Sequence, residues 1–198
     1  KTAVEACGKL DILVNSAGIS ARNAFEHDVA PDELWDRVMK VNLKGTYLMS
    51  WYAMPEMKKS GGGSIVNLAS IIGLVGFAPS LGAGFNPYGP SKGGVVQFTR
   101  SLAMHYAKAS VRVNCICPGY TETNLTQDLL SDPKVMRDIV DRHPIGRLGS
   151  SKDIAYAALY LASTCGRHQQ HCLANWRTCP GGGANGATRW SLLERYAE

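Results

Sequence analysis

The chain has 198 residues, 45% hydrophobic and 19% charged, a balance that supports one domain with a buried core and excludes a disordered class. Its net charge of +5 is scattered in short pairs such as Lys58-Lys59, so no basic stripe points to a nucleic-acid partner. There is no N-terminal signal pattern and no apolar run near the ~20 residues of a membrane span. The expectation is a cytoplasmic protein with no membrane partner.

The first residues, KTAVEACGKLDILVNSAG, predict the end of a helix, a turn at Gly8-Lys9 and a strand at Asp11–Asn15. Ile12, Leu13 and Val14 are apolar in succession, the pattern of a parallel strand covered on both faces. Pro31 to Lys59 carries Leu34, Trp35, Val38, Met39, Leu43, Tyr47, Leu48, Trp51, Met54 and Met57 at near-helical spacing. One long helix is expected, broken near Gly45, with its aromatic residues in core or subunit packing. Asn42 is the exception, a polar residue in an apolar helix, and a buried amide there requires partners.

Ser64–Ala69 predicts the next strand, Pro87 to Ala109 a second long helix, and Val111–Ile116 a third strand stopped by Pro118-Gly119. Cys115 and Cys117 alternate along that strand and therefore face one side, as small buried hydrophobes. With six cysteines in a chain of this length and no secretory pattern, a disulfide framework is not favoured. Thr121 to Leu148 reads as a mobile segment of short helices, and Asp153 to Ala162 as a further helix capped by Ser150 or Ser151. The alternation of strands and helices argues for an α/β fold, a parallel sheet flanked by helices on both faces in a single domain.

Chemistry gathers in NLASIIGLVGFAPSLGAGFNPYGPSK, Asn67 to Lys92. A strand ends in Ser70, a glycine-rich loop follows, and Tyr88 precedes Lys92 by four residues. On a helix these two share one face, so a phenol and an ammonium point at the same place. A nearby positive charge favours phenolate and lowers a tyrosine pKa that starts near ~10.

These residues, in this order, resemble the short-chain dehydrogenase/reductase family over roughly Thr2 to Ser163. DILVNSAG resembles the family's Asn-Asn-Ala-Gly strand end, with Ser16 replacing the second Asn. WDRVMKVNLKGTY carries the helix asparagine at Asn42, and GSIVNLAS places the serine at Ser70. YGPSK supplies the Tyr-x-x-x-Lys pair, and RVNCICPGYTETNL the strand followed by Pro-Gly and a threonine. Five motifs in register make the resemblance specific. It implies a Rossmann-like, doubly wound sheet and hydride transfer between NAD or NADP and an alcohol or carbonyl carbon of a small molecule. Tyr88 would be the acid/base, Ser70 a hydrogen-bond donor to the substrate oxygen, and Lys92 the group that tunes Tyr88 and holds the ribose hydroxyls. Asn42 would position a water beside Lys92, against the alternative of a structurally bonded asparagine. Asn15, Ala17 and Gly18 would line the adenosine side. Pro118 and Gly119 form the turn at the sheet's carboxyl edge, with Thr121 backbone and the Thr123 hydroxyl holding the carboxamide. Leu125, Leu129, Leu130 and Met136 would make an apolar lid. The resemblance also implies a homodimer or homotetramer built through the two long helices.

Three departures stand out. Ser70 and Tyr88 are eighteen residues apart, where the family more often has about a dozen, which predicts a bulged loop around Pro79–Asn86. The family's Thr-Gly-x-x-x-Gly-x-Gly turn is absent, so the first strands are expected to be missing and both faces of Asp11–Asn15 exposed. An inactive fragment, or a scaffold or oligomerisation subunit of the same fold, is the competing reading. After Ser163 the chain no longer follows the family. Cys165, His168, His171, Cys172 and Cys179 are metal-ligand types, but their spacings match no common zinc module, and no metal is expected. Read one nucleotide later, the codons for Ala174 to Cys179 can encode a residue followed by Thr-Gly-Glu-Leu-Val. A frame slip is therefore the preferred account of residues 164–198, with no natural strand expected among them.

Overall fold

The computed structural model describes residues 2–25, 29–77, 84–163 and 172–174. Helix α1 (Thr2–Cys7) ends at Gly8, whose φ of +75° is a left-handed turn that glycine makes without a steric penalty. Strand β1 (Ile12–Asn15) follows. Pro31–Met39 forms α2, with Pro31 in the first turn and Asp32 and Glu33 at the positive end of the helix dipole. Lys40–Lys44 is a π-helical turn, and α3 (Gly45–Lys59) continues from it. The break expected near Gly45 is thus a local widening: the Gly45 N–H reaches the Lys40 carbonyl five residues back.

Strand β2 (Gly63–Leu68) leads through a 3-10 turn at Ile71–Gly73 towards α4 (Tyr88–Tyr106), which tightens into a 3-10 turn at Ala107–Ala109 before β3 (Val111–Cys117). Beyond Pro118-Gly119 come β4 (Thr121–Glu122), α5 (Gln127–Leu130), α6 (Pro133–Asp141), β5 (Gly149–Ser150) and α7 (Ser151–Ala162). The short helices expected between Thr121 and Leu148 are therefore present, and the β4–β5 pairing ties the two ends of that excursion together. Ser150 caps α7 in a reciprocal box with Asp153, the Ser150 N–H donating to Asp153 Oδ2 at 2.9 Å. A last strand, β6 (Cys172–Ala174), completes a parallel sheet of order β1-β2-β3-β6.

Period-two alternation divides the sheet between two helical layers. Ile65 of β2 and Val111 and Val113 of β3 pack under Ala53, Met54 and Met57 of α3 and Ala103 of α4. Cys115 and Cys117 point the same way, buried against Val95 and Val96. On the opposite face Val66 and Ile116 pack against Leu161, Ile154, Ala157 and Ala158 of α7. Burial on both faces is what selects parallel strands rich in Val and Ile.

Three expectations are sharpened. β1 is covered on one face, because Leu13 packs into the α3 side and Asn15 is buried there. Its other face is open, with Ile12 and Val14 48% and 44% exposed, since α7 packs on β2 and β3. Of the two placements expected for the aromatic residues of α3, core or subunit packing, the core one does not hold: small Thr46, Ser50 and Ala53 face inward and Tyr47, Trp51 and Tyr52 outward. The β6 residues, for which no natural strand was expected, pair with Cys115–Cys117 of β3, satisfying backbone groups that an uncovered edge would leave open. Residues 79–83 of the bulge expected around Pro79–Asn86, the histidines of the tail and the rest of the chain beyond Ala174 lie outside the described residues.

Candidate active site

Parallel strands end on a common edge, and the loops leaving β1, β2 and β3 place the candidate groups there. Ser70 follows β2 in extended conformation and caps the Ile71–Gly73 turn, its hydroxyl accepting from Ile72 N at 3.2 Å. The Ile71 N–H donates to the Pro118 carbonyl at 2.9 Å, so the serine turn is fastened to the Pro-Gly turn after β3. Tyr88 opens α4, with Asn86 Oδ1 accepting its backbone N–H at 2.9 Å. Its side chain is hydrogen-bonded to Ser70. Lys92 lies one helical turn further on, 4% exposed, with Nζ 5.7 Å from the Tyr88 ring centroid and donating to the Leu68 carbonyl at 2.7 Å. The structure thus brings Ser70, Tyr88 and Lys92 together at one strand end.

Burial sets the electrostatics of this trio. It pulls the Lys92 ammonium from 10.5 down to about 8, with Cys117 opposing the shift. It pushes the Tyr88 phenol above its ordinary value, with the Ser70 hydrogen bond working the other way. The sequence argument that Lys92 lowers the phenol pKa is therefore outweighed in this structure: desolvation of a phenolate dominates.

Asn42 sits in the π-helical turn, fully buried. Its Oδ1 accepts from Ile19 N at 2.8 Å, and its Nδ2 donates to Ile19 O at 2.9 Å and Ser91 Oγ at 3.0 Å. Ser91 in turn donates to the Tyr88 carbonyl at 2.7 Å. The amide is a clamp between the loop after β1 and the first turn of α4, the structurally bonded alternative left open by sequence. A Cβ added to Gly18 would lie 3.2 Å from Lys92 Nζ, so the glycine lets the loop backbone approach the lysine.

The remaining candidates separate. The Asn15 side chain turns into the core, donating to Asn67 Oδ1 at 2.8 Å and Ser50 Oγ at 3.2 Å. Ala17 is exposed at the strand end. Thr121 is buried with its hydroxyl on the Gly119 carbonyl, and the Thr123 hydroxyl is shared with Thr126 at 3.3 Å. Leu125, Leu129, Leu130 and Met136 are half-buried. Among the described residues no group of three or more metal-ligand types gathers, and no helix is long and apolar enough to cross a membrane.

Three participants escaped sequence reasoning. Ser91 had a signal, being three residues from Tyr88 on the same helix face. Tyr120 had one too, directly following Pro118-Gly119 at a strand end. The Leu68 carbonyl had none, because every residue carries one.

A family model described as enoyl-(acyl carrier protein) reductase matches residues 1–168. The chain belongs to the short-chain dehydrogenase/reductase family. The 2-(R)-hydroxypropyl-CoM dehydrogenase of Xanthobacter autotrophicus is 38% identical over 160 residues, 80% of this chain and 62% of that protein. The 2-dehydro-3-deoxy-D-gluconate 5-dehydrogenase of Dickeya dadantii is 41% identical over 164 residues, 82% of this chain and 62% of its own length. The chain thus spans about six-tenths of the length of such curated relatives. Among solved structures, ElxO with NADP bound superposes with a TM-score of 0.75 at 30% identity, covering 87% of this chain and 68% of that one.

Proposed function

We propose that this protein is an NAD- or NADP-dependent oxidoreductase that interconverts a secondary alcohol and a ketone. The observation that carries the reading is the convergence of Tyr88, Ser70 and a buried Lys92 at the carboxyl edge of β2. The donor chemistry of Lys92 fits the hydroxyls of the cofactor's ribose. Lys92 donates one hydrogen bond to Leu68 O out of the three donors of an ammonium, and Gly18 leaves the approach to it open. A bound nicotinamide supplies the hydride chemistry. Lys92 holds the ribose hydroxyls, with Gly18, the Pro118-Gly119 turn, Thr121 and Thr123 along the same edge.

Tyr88 gives a proton to the substrate oxygen in reduction and takes it in oxidation. Ser70 donates a hydrogen bond to that same oxygen, where negative charge develops. Asn42 acts through its clamp on Ile19 and Ser91, holding the β1 loop and the first turn of α4 in register. The proposal extends to a cytoplasmic protein assembled as a homodimer or homotetramer through α3 and α4.

The test is absorbance at the reduced-nicotinamide band with NAD and NADP over a panel of secondary alcohols and ketones. Turnover that disappears in Tyr88→Phe is the expected result. No turnover by the wild-type chain, or undiminished turnover by Y88F, removes the reading. The second reading, a non-catalytic oligomerisation subunit, is favoured by the outward Tyr47, Trp51 and Tyr52 of α3, and predicts oligomers without turnover.

A further inference from the structure

We infer that Asn86 is a positioning residue for Tyr88, one that keeps the phenol in register with Ser70 by holding the tyrosine's own backbone. The inference rests on the oxidoreductase reading above and adds a residue to that site. Ser70 and Tyr88 are eighteen residues apart in sequence, yet their side chains are hydrogen-bonded. At the serine end the Ile71 N–H donates to the Pro118 carbonyl at 2.9 Å, which ties that end to the sheet. The tyrosine end needs an anchor of its own.

Tyr88 is the first residue of α4. A first helical residue frays, because its N–H has no carbonyl one turn back to receive it. The first turn of α4 contains no acidic residue, and Pro87 supplies no side-chain cap. Pro90 has no N–H, and the Ser91 N–H donates to the Pro87 carbonyl at 3.0 Å. The N–H groups of Tyr88 and Gly89 are therefore the ones left to satisfy at this end. Asn86 Oδ1 accepts the first of them at 2.9 Å, in an Asx turn that closes the helix start on the reacting residue itself.

The tyrosine's carbonyl is held as well. Ser91 Oγ donates to it at 2.7 Å and accepts from Asn42 Nδ2 at 3.0 Å. Both backbone polar groups of Tyr88 are thus gripped by neighbouring side chains, and the pair fixes where its Cβ points. Without the Asn86 acceptor the Tyr88 N–H is released and the phenol drifts from Ser70. That hydrogen bond lowers the phenol pKa against the effect of burial, so its loss moves the Tyr88 titration up. A cap that served stability alone would change the melting temperature and leave the titration in place.

The test uses two substitutions at one position. Asn86→Ala removes the acceptor, and Asn86→Ser returns one, since serine caps a helix start about as well as asparagine. Phenolate absorbance is titrated in each against a Y88F reference, and the reduced-nicotinamide assay gives kcat and KM. Lys92, with Nζ 5.7 Å from the Tyr88 ring centroid, and Tyr120 are the titratable groups beside Tyr88, and both are retained in every variant. In N86A the Tyr88 titration is expected to rise by about 0.5 pH unit or more, and kcat to fall about tenfold with the KM for the nicotinamide cofactor unchanged. N86S is expected to restore both. An N86A protein that melts lower but keeps the wild-type titration and kcat overturns the proposal, as does a loss that N86S fails to restore. A titration shifted in N86A and restored in N86S, with no turnover by the wild type, leaves the positioning role standing and removes the oxidoreductase reading alone.

Discussion

Gly73→Ala tests whether the serine turn and the tyrosine helix are as closely seated as described. A Cβ on Gly73 would lie 2.7 Å from the Lys92 carbonyl carbon, 2.8 Å from the Lys92 oxygen and 2.9 Å from Gly93 N. All three are backbone atoms of α4, so no flexible side chain can yield. Restoring van der Waals contact requires the Ile71–Gly73 turn to retreat by about 0.6 Å, an overpacking change that costs about 2 kcal/mol. For a chain of this size that lowers the melting temperature by roughly 4–8 °C. Ser70 rides on the same turn through its bond from Gly73 N at 2.9 Å, so it withdraws from Tyr88. The hydrogen bond that holds the phenol pKa down is then weakened, and the Tyr88 titration moves further up. Thermal melting by circular dichroism reads the first effect, and phenolate absorbance against a Y88F reference reads the second. Gly76→Ala is the control, since nothing lies within 4 Å of its Cβ. A G73A protein that melts with the wild type and keeps the Tyr88 titration in place would refute the packing argument.

Lys92 makes a pH prediction with a definite sign. Its folded value of about 8 lies below its ordinary 10.5, so between these the unfolded chain binds more protons and stability rises with pH. The gain is about 2 kcal/mol from pH 8 to pH 10; above pH 10 the raised Tyr88 pKa opposes it. Denaturant melts should show this slope in the wild type and lose it in Lys92→Met; a flat wild-type profile contradicts the assignment. Asn67→Ala removes the buried link between Asn15 and Thr99, bonded at 2.8 and 2.9 Å, and should cost about 2–3 kcal/mol by leaving an unpaired polar group in the core. Urea unfolding measures it, and a loss below about 0.5 kcal/mol would show the network to be dispensable. For residues 164–198 the proposal of a frame slip predicts gene codons across Ala174 to Cys179 that spell Thr-Gly-Glu-Leu-Val one nucleotide on; incompatible codons end it.

Much of the fold was legible before any coordinates. The predicted strands at Asp11–Asn15, Ser64–Ala69 and Val111–Ile116 each fall within a residue of the observed ends, because short apolar runs bounded by glycine and proline leave a parallel strand little choice. The helix positions of Tyr88 and Lys92 followed from their spacing alone. The outward aromatic residues of α3 were not legible. A helix whose inward positions are small, Thr46, Ser50 and Ala53, sits close to the sheet, and periodicity does not distinguish a face turned to the core from one turned outward.

What sequence by itself determined is the set of chemical types in order: serine, tyrosine, lysine and asparagine on segments whose local propensities place them at strand ends and helix starts. Local rules act over one turn or one strand, and the chemistry-bearing motifs are local. Tertiary structure decided everything that depends on two segments meeting. It turned Asn15 inward, made Asn42 a clamp between Ile19 and Ser91, and fastened the serine turn to Pro118. It also reversed the expected tuning of the pair. Proximity of Lys92 to Tyr88 was readable from spacing, but the depth at which both are buried is a property of the whole packed chain, and burial outweighs the neighbouring charge.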